Sequence, residues 1–172
     1  GDKVALMLHN GYQTARLLIG VMYAGCTVAP LNLLSQRSQL EYVLDHSDSQ
    51  LVFVSADLAP RVNEALAAVH RAVEVVVIDP DATSLFDDAG PDDAALPPIA
   101  QDDDALLMYT SGTTGDPTPY PFTESDRYPG GEFSKRSFWR GGVYPGDKIL
   151  HGFGLSMFIA GGLLQVLHID AM

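Results

Sequence analysis

Apolar residues enter this chain in two alternating patterns. Val4 to Leu8 form an unbroken apolar run, the mark of a strand covered on both faces. From Tyr12 the spacing opens to that of a helix, with Tyr12, Ala15, Ile19, Met22 and Tyr23 sharing a face until Gly25 ends it. Residues 27–31 read as a short β-like stretch. Leu40, Val43 and Leu44 mark a second helix, and Ser38 and Glu41 have the spacing of a capping box at its start. Leu51 to Ser55 is the next strand; Leu58, Val62, Leu66 and Val69 predict a third helix over 58–70, and VEVVVI at 73–78 is the most β-branched stretch of the chain. Strand and helix alternating in this way predict right-handed crossovers and an α/β fold of three layers around a mostly parallel sheet.

Beyond residue 78 the pattern breaks. Residues 79–104 contain nine Asp, no Lys or Arg, and Pro80, Pro91, Pro97 and Pro98. This 26-residue segment is expected to be an acidic surface loop, longer than an ordinary connection in a compact domain. The apolar run ALLMY at 105–109 returns the chain to a sheet. Further on, 133–140 has the pattern of a short helix, PGD at 145–147 that of a turn, and 148–167 is apolar and glycine-spotted, with polar interruptions that suit a core segment better than a membrane helix.

Charge and composition narrow the function. The 172 residues carry a net charge of −12, which would repel a nucleic-acid backbone. No apolar stretch reaches the ~20 residues of a membrane span, and the N-terminus lacks a basic segment ahead of its apolar run. The expectation is a cytoplasmic protein with no membrane span. One cysteine, Cys26, rules out an internal disulfide. His9, His46, His70, His151 and His168 lack metal-ligand spacing, so no metal site is expected from them.

Candidate chemistry concentrates immediately after ALLMY. Thr110 to Gly115, TSGTTG, puts three Thr, one Ser and two Gly into six positions. Glycines let backbone N–H groups turn toward phosphate oxygens, and hydroxyls add donors that rotate to suit. The segment is not a Walker loop, which needs lysine before its final Ser or Thr, and G-x-G-x-x-G is absent. Gly154-Leu155-Ser156 begins a nucleophile elbow, but Phe158 stands where the closing glycine belongs.

YTSGTTG followed by one residue and Pro117 resembles the phosphate-binding signature of the AMP-forming adenylating enzymes, which include the acyl- and aryl-CoA ligases. GDKVALMLHNG is similar to the opening strand of that family's N-terminal domain, and AGCTVAPLNLLSQRSQLEYVLDHSDSQLVFV to the stretch that follows in fatty-acid and aryl-acid ligases. Residues 118–167 are most like the phenylacetate-CoA ligase branch. The resemblance implies a carboxylic-acid substrate, ATP with Mg, and CoA as co-substrate: an acyl-adenylate forms first, and the acyl group then passes to the CoA thiol. It implies phosphate contacts at Thr110, Ser111, Gly112, Thr113, Thr114 and Gly115, and an acyl pocket touched by Ser156, Met157, Phe158 and His151. It assigns no principal catalytic residue here.

Two departures accompany the likeness. Family members commonly carry lysine where Asp116 stands; a unit charge ~7 Å from a phosphate charge, at an effective dielectric of ~40, is worth about 1 kcal/mol per pair. The likeness also stops short of the family's later adenine, ribose and C-terminal lysine motifs. Residues 1–172 are therefore expected to be a partial N-terminal, AMP-binding domain with the C-terminal domain absent, inactive alone, and prone to self-association through an uncovered apolar face. Whether this chain is itself an enzyme stays open beside two alternatives: a nucleotide- or protein-binding module on the same scaffold, and a recombined sequence.

Overall fold

Successive residues of a strand face opposite ways, and the inner strands here are apolar at both parities. A computed structural model, which describes residues 2–84, 95–110, 117–123, 136, 139, 140, 144 and 147, shows what covers each face. In chain order the elements are β1 (Lys3–Met7), α1 (Tyr12–Tyr23), β2 (Thr27–Pro30), α2 (Arg37–His46), β3 (Leu51–Ser55), α3 (Ala59–Leu66), β4 (Glu74–Ile78), β5 (Asp104–Thr110) and β6 (Thr118–Thr123). They form one six-stranded sheet in the order β4-β3-β1-β2-β5-β6, with β1 to β5 parallel and β6 antiparallel to β5.

The two parities make two cores. Val4 and Leu6 of β1, Phe53 of β3, and Leu106 and Met108 of β5 pack under Leu17, Leu18, Val21 and Met22 of α1. Ala5, Met7, Val52, Val54 and Leu107 pack on the other side, under Leu40, Val43 and Leu44 of α2 and Val62 and Ala65 of α3. The protein is thus a three-layer α/β fold with a mostly parallel sheet, as the alternation predicts.

Strand order also explains the long acidic connection. From β4 at one edge the chain must pass β3, β1 and β2 to reach β5, roughly 19 Å at the ~4.8 Å spacing of strands. Its described ends lie at opposite ends of α1. Pro80 lies against Gly11 before the helix, and Pro97 lies 3.0 Å from where a Cβ on Gly25 would stand after it. Both described ends thus lie on the α1 side, where a right-handed crossover from β4 to β5 places them. Residues 95–104 are exposed, and Ala100 and Asp103 bond to each other in a local turn.

Three local expectations are corrected. α1 forms where predicted but buries Gln13, Thr14, Leu17, Leu18, Val21 and Met22, whereas Tyr12 and Tyr23 are 61% and 65% exposed. Gln13 and Thr14 can face inward because backbone acceptors await them: Gln13 Nε2 donates to Ala82 O at 2.5 Å and Thr14 Oγ1 to His9 O at 2.5 Å. The α2 capping box is Gln36 with Gln39, two residues before the expected Ser38 pair; Glu41 instead binds Arg37 at 2.6 Å, and Arg37 also reaches Glu64 on α3. α3 ends at Leu66, and a turn (Val69 N–H to Leu66 O, 3.0 Å) brings Val69 into the core without further helix.

β6 follows from no strand pattern, because Pro119 and Pro121 interrupt it. Both prolines share one parity, so their missing N–H groups point the same way, and an edge strand tolerates that when the open side receives it. At the expected turn over 145–147, Asp147 N–H donates to Tyr144 O at 3.0 Å and Tyr144 N–H to Asp147 Oδ2 at 2.8 Å; residues 145 and 146 lie outside the described residues. Arg136, Trp139 and Arg140 have helical backbone; 148–167 lies outside the described residues.

Candidate functional site

Parallel strands bring their carboxyl ends to one edge of the sheet, where open α/β folds bind ligands. Thr110 is the last residue of β5, so the hydroxyl-rich loop departs from this edge. Thr110 pairs with Thr118 and Tyr109 with Pro119, which makes residues 111–117 the link between two paired strands. Of the phosphate-contact candidates only Thr110 is located, by its backbone. Ser111, Gly112, Thr113, Thr114, Gly115 and Asp116, and the pocket candidates His151, Ser156, Met157 and Phe158, lie outside the described residues.

The same edge holds groups that sequence reasoning left unassigned. β1 and β3 are neighbours whose outgoing connections run in opposite directions, and the loops after them meet. His9 N–H donates to Ser55 Oγ at 3.1 Å, and His9 Nε2 lies 2.8 Å from Asp57 Oδ2. The hydrogen bond from His9 is the main cause holding the Asp57 carboxyl below its usual range. Serine, histidine and aspartate here are not a hydrolytic triad, because Ser55 contacts the His9 backbone rather than its ring. Their part is to tie two loops together at the topological switch point.

At the base of the loop stands a second cluster. The half-buried Tyr109 hydroxyl lies 3.0 Å from His46 Nδ1 at the end of α2. Tyr42 stacks on the His46 ring at 5.4 Å, and Tyr109 meets it edge-on at 5.8 Å. Burial, then the neighbouring Tyr42 and Asp48, push the Tyr109 phenol well above its ordinary value, which keeps it protonated. Among the described residues no group of three or more His, Cys, Asp or Glu gathers to hold a metal, and His70 is exposed.

TSGTTG begins at the last residue of β5, at the carboxyl edge of the sheet, and the family model for AMP-binding enzymes matches residues 1–124. The chain belongs to the AMP-binding enzyme family. It is 45% identical over 152 residues to a sulfoacetate–CoA ligase of Cupriavidus necator, covering 87% of this chain and 29% of that protein. It is also 31% identical over 129 residues to an oxalate–CoA ligase of Arabidopsis thaliana, covering 72% and 25%. Among solved structures, the inhibitor-bound N-terminal domain of FACL13 from Mycobacterium tuberculosis superposes with a TM-score of 0.71 at 25% identity, covering all of this chain and 42% of that one. A long-chain-fatty-acid-CoA ligase from Archaeoglobus fulgidus gives a TM-score of 0.79 at 19% identity, covering 99% and 33%, and so speaks to the fold. This AMP-binding chain thus spans under a third of the length of the sulfoacetate–CoA and oxalate–CoA ligases. Among its described residues no helix is long and apolar enough to cross a membrane.

Proposed function

We propose that this chain is the N-terminal part of an AMP-forming CoA ligase, in which its loop holds the phosphates of ATP while a carboxylate attacks the α-phosphorus. The observation that carries this is the TSGTTG loop leaving β5 at the carboxyl edge of a sheet matched by the AMP-binding family. The carboxylate and the triphosphate repel each other, so fixed dipoles and hydroxyls must hold the phosphates as charge moves in the reaction. Thr110, Ser111, Thr113 and Thr114 supply hydroxyls for that, with Gly112 and Gly115 giving the backbone its freedom. Bond formation between the acid oxygen and the α-phosphorus expels pyrophosphate; the CoA thiol then displaces AMP from the acyl-adenylate. Magnesium would arrive with the triphosphate, and none of these steps is assigned to a metal ligand of this chain. His151, Ser156, Met157 and Phe158 are the proposed acyl-side residues.

The stretch it shares with the sulfoacetate–CoA and oxalate–CoA ligases is under a third of their length; the proposed reaction is that of the family, and for residues 1–172 by themselves we propose nucleotide binding without turnover. Asp116 favours a second reading, a module that keeps the scaffold and no longer turns over. Calorimetric titration with MgATP, beside CoA-thioester assays with sulfoacetate, oxalate, 3-hydroxybenzoate and a long-chain fatty acid, tests both. MgATP binding without thioester is the expected outcome. Robust thioester formation would overturn the proposed inactivity, and no binding would overturn the nucleotide role.

A further inference from the structure

The carboxyl half of β5 is less securely framed than the strands beside it. Its pairing with β2 is at Val28 and Leu106, and from Leu107 to Thr110 its ladder runs along β6, an edge strand with two prolines. Tyr109 supplies a second brace. Its hydroxyl meets His46 Nδ1 at 3.0 Å, and the His46 ring is held between Tyr42 and Tyr109. The helix end behind His46 is itself fastened: Arg71 Nη2 donates to Leu44 O at 2.5 Å and to Ser49 O at 3.0 Å, bridging the end of α2 and the turn that follows it.

We propose that His46 is a positioning residue which, by holding the Tyr109 hydroxyl, fixes the carboxyl end of β5 from which the phosphate-binding loop departs. The functional half of this proposal rests on the nucleotide-binding reading above. A loop that must present several hydroxyls and N–H groups to one triphosphate binds more tightly when its point of departure is fixed beforehand. With Tyr109 protonated, its O–H donates to the unprotonated Nδ1; in the other tautomer Nδ1–H donates to the hydroxyl oxygen. Either way the contact joins α2 to β5 across 63 residues of sequence.

Three variants of the 172-residue chain separate positioning from general stability. Tyr109→Phe removes the hydroxyl alone, His46→Leu removes the ring nitrogen, and His46→Asn keeps a polar atom as many bonds from Cα as Nδ1. Amide hydrogen exchange across Leu107 to Thr110 is expected to quicken about two- to ten-fold in Tyr109→Phe and His46→Leu, the range for one net hydrogen bond, and to return toward wild type in His46→Asn. MgATP affinity is expected to fall by a similar factor in the first two and recover in the third. Unchanged exchange in His46→Leu overturns the proposal, as does His46→Asn exchanging as fast as His46→Leu. Faster exchange with unchanged MgATP affinity overturns it too. A wild-type chain that binds no MgATP instead defeats the nucleotide reading, and the exchange comparison then decides the positioning role by itself.

Discussion

Gly11 shows how much one missing side chain settles. A Cβ at this position would lie on the carbonyl of Pro80, inside any tolerable separation, and that same carbonyl accepts the Gln13 N–H at 2.8 Å. Neither backbone can retreat without losing this bond at the first turn of α1. Gly11→Ala is expected to cost about 1–3 kcal/mol, the range for forced overpacking. Urea unfolding would show it as a lower midpoint at an unchanged slope. His46 and His9 make the opposite point, since neither carries a distinguishing neighbour in sequence. Each finds its partner only across the fold, Tyr109 for one and Asp57 for the other.

At the scale of the element, α1 offers a paired test. Gly25 follows the helix with φ of 74°, and its N–H and that of Cys26 bond to Met22 O and Val21 O at 3.0 Å each, closing a Schellman motif. Gly20 sits inside the helix with open space where a Cβ would be. Gly20→Ala is therefore expected to stabilise by about 0.5–1 kcal/mol, and Gly25→Ala to destabilise by roughly 1 kcal/mol or more. Melting temperatures moving in opposite directions would confirm both, and a shift of the same sign would refute the assigned geometry. The start of α2 teaches a related lesson. Gln36 and Gln39 cap it reciprocally, although Ser38 and Glu41 have the more familiar spacing, because each side-chain amide oxygen accepts a backbone N–H as a hydroxyl or carboxylate oxygen would.

The whole molecule carries −12, and Asp116 adds to that charge beside the proposed triphosphate site. Asp116→Lys changes the net charge to −10 and exchanges repulsion for attraction at the loop. At about 1 kcal/mol per charge pair, MgATP is expected to bind roughly ten-fold tighter or more at low salt, with the gain shrinking as salt screens it. Calorimetry at two ionic strengths measures this directly. Affinity unchanged at both would show that the loop does not face the phosphates.

The order of strands and helices from β1 to β5 was legible in the chain, because burial on both faces forces apolar residues at both parities and the helices between must show helical spacing. The hydroxyl-rich loop was legible too, since its chemistry depends on residue types that sit next to one another. What neighbouring residues do not encode is which helical face turns inward when polar groups find backbone acceptors, as Gln13 and Thr14 do. Nor do they encode an edge strand whose prolines hide its pattern, as in β6. The His46–Tyr109 and His9–Asp57 contacts span 63 and 48 residues. Only the order in which the strands assemble brings such residues together, so the tertiary structure alone decided these contacts.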